Sequence, residues 1–156
     1  MAKNTEAIAA LDSKDTSIIS VLRQDAKLST QQISKKTGIP ITTVHNRIRK
    51  LQKAGVIKAY TIILDNKKIG KAVAAFILIT VDYKLLKELK TTQYELAKKI
   101  RAHRLVEAAS MVTGTSDIII LVRASGVDEL SEFVTKYLRN LEGVDRTQTA
   151  VILAEV

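Results

Sequence analysis

The chain has 156 residues, 46% of them hydrophobic and 26% charged, and carries a formal net charge of +9. That balance excludes a disordered chain and leaves room for one domain or two small ones. With no cysteine, disulfides, thiolate metal sites and cysteine nucleophiles are excluded as well.

The excess charge is unevenly placed. Met1 to Gly70 holds 13 Lys and Arg against 5 Asp and Glu, whereas Lys71 to Val156 holds 12 against 11. An imbalance confined to one half points to a polyanionic partner for that half. Residues 1–10 contain Lys3 and Glu6, and the apolar run from Ile8 to Leu11 is too short for a signal peptide. No stretch approaches the roughly 18 uninterrupted apolar residues of a membrane span, so the expected location is the cytoplasm.

In chain order, Asp12 or Ser13 can cap a first helix running to about Ala26, with Ile18, Ile19, Val21 and Leu22 inward. Ser29, with Gln32 three residues on, has the capping-box pattern for a second helix, and Gly38 is the residue expected at its end. A third helix follows. One of its faces carries Ile41, Val44, Ile48 and Leu51 at helical spacing. The other carries Thr42, Thr43, His45, Asn46, Arg47, Arg49, Lys50 and Lys53, with no carboxylate. Such a face can be merely solvated, but the charge partition favours DNA, where cations meet phosphates and amides or guanidinium groups meet base edges. Helix, glycine turn and basic helix is the helix-turn-helix order. The expected core is Ile18, Ile19, Leu22, Leu28, Ile33, Ile39, Val44, Ile48, Leu51 and Val56.

After Gly55, residues 56–65 have the β-branched and aromatic bias of a strand and are expected as a wing, with Lys58, Lys67 and Lys68 near phosphates. Asp65, Asn66 and Gly70 are turn residues. The predicted division is a winged helix-turn-helix domain at 1–64, a linker at 65–71 and a second domain at 72–156.

The second domain alternates strand and helix. Strands are predicted at 72–83, 105–114, 116–125 and 147–156. One helix is capped by Thr91 or Thr92, with Tyr94, Leu96, Ala97 and Ile100 inward. Another follows Gly126, with Leu130, Phe133, Val134, Tyr137 and Leu138 inward. The order βαββαβ is ferredoxin-like, and the fold class is α+β. The first and third strands, central in that topology, show no polar alternation. Two helices cover only one face of such a sheet, so a second copy is expected on the other, giving a two-fold homodimer.

The loop Thr113, Gly114, Thr115, Ser116, Asp117 offers backbone N–H groups for a carboxylate and an acid for an ammonium, a fit to a free amino acid. Thr147, Gln148 and Thr149 are further polar candidates. The same residues also suit a plain hairpin loop. His45 and His103 show no metal-ligand spacing, and no metal or cofactor is expected.

Leu11-Asp12, Asp15, Leu22, Asp25-Ala26, Leu28-Ser29, Gly38, Val44, Arg47-Ile48, Leu51, Gly55-Val56-Ile57 and Tyr60, followed by the βαββαβ half with its VTGTSD loop, resemble the Lrp/AsnC (feast/famine) family of transcriptional regulators. The resemblance implies dimers joined through the C-terminal sheets, assembly into tetramers or octamers, and an amino acid or related metabolite near Gly114–Asp117. The family has Ser-Pro entering the recognition helix, where this chain has Pro40-Ile41.

Competing functions fare worse. The central strands lack the stacking aromatics of an RNA-recognition motif, and no phosphate loop or nucleophile elbow marks an enzyme. A regulator or DNA-architectural protein whose second domain only assembles subunits remains the alternative. Arg47 and Asn46 are expected to read bases beside Thr42, Thr43 and His45. Arg49, Lys50, Lys53 and the Ser29, Thr30, Gln31 turn are expected to hold phosphates.

Overall fold

The computed structural model describes residues 11–155, and the reading of residues 1–10 lies outside them. The chain divides into two compact units between Ile63 and Leu64. Residues 65–71, expected as a linker, run with the second unit. They are folded into turns by Lys68 N–H to the Asp65 carbonyl (3.1 Å) and Lys71 N–H to the Asn66 carbonyl (2.8 Å).

The first unit holds three helices, α1 (Ser13–Gln24), α2 (Thr30–Thr37) and α3 (Ile41–Lys53). Both capping boxes form, at Asp12 with Asp15 and at Ser29 with Gln32. A cap like Ser29 contributes about 1 kcal/mol. Gly38 ends α2 in the left-handed conformation (φ 71°) that a side chain would resist. Ile18, Ile33, Ile39 and Val44 form the core, with Val21, Leu22, Leu28 and Ile48 packed against them.

Three expectations for this unit fail. Ile41 and Val56, assigned to the interior, are exposed. Ile41 opens α3 before a full turn exists to pack it, and Val56 lies beyond the turn at Gly55. The expected wing strand does not form, because residues 56–65 find no ladder partner among the described residues. High β-propensity expresses itself only against a neighbouring strand. Ile62 and Ile63 consequently stand 74% and 100% exposed.

The second unit has β1 (Val73–Val81), α4 (Tyr83–Glu88), α5 (Gln93–Arg101), β2 (Val106–Met111), β3 (Ile118–Ala124), α6 (Val127–Glu132) and β4 (Val144–Val151). A π turn (Phe133–Tyr137) and a 3-10 turn (Leu138–Asn140) extend α6. The sheet order β2-β3-β1-β4, antiparallel throughout, is the ferredoxin-like one with β1 and β3 central. Ala75, Ile77, Ile79, Ile118, Ile120 and Val122 face the helices and are fully buried. Residues between them point to the opposite face, where Phe76 sits opposite Leu121 and Leu78 opposite Ile119. That face is apolar and open, with Phe76 44% exposed.

Two polar features interrupt the pattern. Arg123, on the open face of β3, is buried between Glu107 and the Glu155 carboxylate. A bulge between Val106 and Ala108 frees Glu107 from the ladder. Tyr94, expected inward on α5, is 64% exposed, while Leu96, Ala97 and Ile100 make the buried stripe. Helix α4 was not predicted at all. It is one and a half turns long and ends with Lys90 in the left-handed conformation (φ 53°), so it has no glycine stop signal. Gly143, also left-handed (φ 94°), is packed beneath Leu86 of α4 and Leu96 of α5.

Candidate nucleic-acid interface and effector loop

Helix α3 turns about 100° per residue, which sorts its side chains by direction. Val44 and Leu51, buried, mark its inner side. Thr42, Asn46, Arg49 and Lys53 lie within about 30° of the opposite line, and His45 and Lys50 within about 70°. All six are exposed, and none is a carboxylate. Thr43 lies on the flank and is half-buried.

Arg47 does not join this stripe. It lies about 140° round the helix from Thr42, turned toward α1. Its Nη1 donates to the Asp12 carboxylate and, at 3.1 Å, to both oxygens of Asp15. Asp15 is 4% exposed and needs a cation beside it. The Asp15 backbone N–H, and after it Arg47, hold the Asp12 carboxyl below its ordinary value against the opposing effect of burial. Hydrogen bonds to Asp12 first and Asp15 second raise the Arg47 guanidinium above its ordinary value. The expected base-reading role of Arg47 is therefore corrected: it is the strut that sets α3 against α1. Asp15, noted in the sequence only among the residues of the family resemblance, belongs to the same strut, and its position three residues after a capping aspartate was the available signal.

Ser29 and Gln31 are exposed and Thr30 half-buried at the start of α2. The Ser29 Oγ accepts from Gln32 N–H at 3.2 Å, and the first-turn N–H groups of Thr30 and Gln31 are oriented outward along the helix axis. The N-cap of α3 is Pro40, which offers no side-chain cap; its carbonyl accepts from Val44 N–H at 3.0 Å. The register of α3 is thus set by the proline turn.

In the second unit, the loop joining β2 to β3 leaves Thr113, Gly114 and Thr115 exposed and Ser116 and Asp117 half-buried. Gly114 is left-handed (φ 127°) with open space where a Cβ would stand. Val112 N–H donates to the Asp117 carbonyl at 2.9 Å and closes the loop, whereas the N–H groups of residues 113–116 have no backbone acceptor among the described residues.

The Asp117 carboxylate is already engaged. It accepts from Val81 N–H and from the Tyr83 hydroxyl, each at 2.8 Å. That bond pushes the Tyr83 phenol up from its ordinary value. Gln93 donates to the Asp117 carbonyl at 2.7 Å. Tyr83 and Gln93 were not singled out from the sequence, because 34 and 24 residues separate them from Asp117.

Thr147, Gln148 and Thr149 do not gather with this loop. Ile79 of β1 pairs with Ile118 on one side and Thr147 on the other, so two strand spacings, roughly 9–10 Å, intervene. Thr147 and Thr149 point to the helix side and Gln148 to the open face, since neighbours alternate along a strand. Thr147 accepts from Arg139 Nε at 3.1 Å.

Comparison with known proteins agrees with this arrangement. The model described as winged helix-turn-helix DNA-binding matches residues 11–58, and the one described as the Lrp/AsnC ligand binding domain matches 74–156. The HTH-type transcriptional regulator FL11 of Pyrococcus horikoshii is 34% identical, over 92% of this chain and 89% of that relative. The structure of Bacillus subtilis LrpC superposes with a TM-score of 0.78 at 26% identity, covering 94% of this chain and 96% of LrpC. Neisseria meningitidis NMB0573, solved as an L-Met complex, shares the fold with a TM-score of 0.85 at 23% identity, covering 94% and 92% of the two chains. Among the described residues no helix is long and apolar enough to cross a membrane. The chain belongs to the Lrp/AsnC family of transcriptional regulators, joining a DNA-binding helix-turn-helix unit to the family's ligand-binding domain.

Proposed function

We propose that α3 reads its operator through Thr42, Asn46 and Arg49, with His45, Lys50 and Lys53 holding phosphates beside the α2 start at Ser29, Thr30 and Gln31. The observation that carries this reading is the exposed, carboxylate-free stripe opposite Val44 and Leu51. Asn and Arg on that line have the donor geometry for adenine and guanine edges in the major groove. Arg49→Ala is expected to weaken binding to genomic fragments selected by the wild-type protein roughly 5- to 100-fold, with a smaller loss on random duplex. Arg47→Ala should weaken both in the same ratio, because it disturbs the strut. Equal losses for Arg49→Ala would reassign that side chain to the backbone.

The open apolar face of β1 and β3 supports a homodimer paired through the sheets, with dimers building tetramers or octamers. Two copies of α3 would then address half-sites roughly 34–36 Å apart on a pseudo-palindrome, within the nucleoid of the cytoplasm.

The same chain takes a free amino acid or related metabolite at the 113–117 loop. The unpartnered N–H groups of that loop suit the ligand carboxylate, and the oxygens of Asp117 keep lone pairs for its ammonium. Thr147, Gln148 and Thr149 of this chain stand apart from that contact. Ligand binding can change DNA affinity only by favouring one assembly state. Thermal scans with each free amino acid at millimolar concentration should show a rise for at least one, lost in Asp117→Ala. No rise with any would leave the second domain as an assembly module alone.

A further inference from the structure

The C-terminal half is nearly neutral in sum, yet its charges are sharply segregated. Residues 83–104, spanning α4 and α5, carry 7 Lys and Arg against 2 Asp and Glu, while the rest of residues 71–156 carries 5 against 9. We propose that α4 and α5 form a second, sequence-independent surface for DNA phosphates, separate from the recognition helix. The inference rests on the chain's DNA binding and extends it to the ligand-binding domain.

The local hydrogen bonds separate the engaged charges from the free ones. Glu95 accepts from the Thr91 hydroxyl, the Thr92 hydroxyl and the Thr92 N–H, which fixes its carboxylate at the start of α5 with its charge retained. Arg104 pairs with Glu129, and Arg101 donates to the Val106 carbonyl at 2.8 Å. Lys84, Lys87, Lys98 and Lys99 have no carboxylate within 4.0 Å among the described residues. All four are exposed.

On each helix the lysines share the outward side with one exposed carboxylate, Glu88 on α4 and Glu95 on α5. Leu86 turns α4 inward and Leu96, Ala97 and Ile100 turn α5 inward, which sends the lysines out. The helices are joined at their ends by Thr91 N–H to the Leu86 carbonyl (3.0 Å) and by Tyr83 Oη to Gln93 Oε1 (3.3 Å). Tyr94, one turn before Lys98 on the same stripe, offers a hydroxyl donor in the open. Lysine ammonium groups and a tyrosine hydroxyl are backbone-positioning contacts, with no paired donor–acceptor geometry for a base edge. DNA is the polyanion favoured here, because the helix-turn-helix unit of the same chain already brings it to high local concentration.

The test compares wild type with a full-length variant carrying Lys84→Gln, Lys87→Gln, Lys98→Gln and Lys99→Gln. Affinity for a long random duplex and for a selected operator fragment is followed against salt. Each lost phosphate contact flattens the slope of log K against log salt by about 0.9. The slope should become shallower by about 2 or more and low-salt affinity should fall about 10-fold or more. The ratio of operator to random affinity and the melting temperature should stay unchanged. An unchanged slope overturns the proposal. So does an unchanged DNA slope accompanied by lost sedimentation with phosphatidylserine vesicles, which would assign the surface to an anionic membrane. The recognition-helix reading is judged separately, by the operator preference of Arg49→Ala, so each can fail alone.

Discussion

Gly143→Ala is expected to destabilise the C-terminal unit by about 3 kcal/mol. Two costs combine. At φ 94° an L side chain is strained, by about 1–2 kcal/mol. The new Cβ would also stand 2.4 Å from Leu86 Cδ2 and 3.3 Å from Leu96 Cδ2. Both leucines are buried, so displacement means overpacking, at about 1–3 kcal/mol. The Gly143 carbonyl also accepts from Asp82 N–H at 3.0 Å, and a shift of this backbone would loosen the α4 N-cap. Gly114→Ala is the natural control, since it carries positive φ with open space around it. Urea unfolding of both variants separates strain from packing. Equal losses would show that Leu86 simply rotates away, and the packing argument would fall.

Leu121→Asp should convert the protein to a monomer and lower operator affinity by about 10²-fold or more, since two linked recognition helices gain that much over one. Leu121 lies opposite Phe76 on the open face and is half-buried, so an aspartate there can reach water in the single chain. In a sheet-to-sheet dimer it would be buried without a cation, at heavy cost. The dimer constant from sedimentation and the operator constant from gel shift should move together. A stable dimer with intact DNA binding would place the subunit contact elsewhere.

Local signals in the sequence were good guides. Asp12, Ser29 and Thr92 cap helices because a side-chain oxygen needs only the next three residues to act. The two apolar central strands gave away the sheet order and the open face. What the sequence hid depends on distant partners. Arg47 looked like a base reader because its helix face was judged by residue type. Only contact with Asp12 and Asp15, 35 and 32 residues away, shows that it belongs to the scaffold. The Asp117 carboxylate likewise meets Val81 and Tyr83 through sheet topology. The wing strand failed for the opposite reason: strong local propensity was present, and among the described residues no partner strand was.

That unpaired stretch bears on how the protein survives its own synthesis. Tyr60–Leu64 is an uncharged, β-prone run with Ile62 and Ile63 facing water, the kind of window from which chains stack into aggregates. Charges bracket it closely, with Lys58 before it and Asp65, Lys67 and Lys68 after it. Such gatekeepers make side-by-side stacking of identical copies repulsive while leaving the run itself sticky. Replacing the flanking lysines would therefore first be felt as poor yield of soluble protein in the expressing cell, before any change in folded stability.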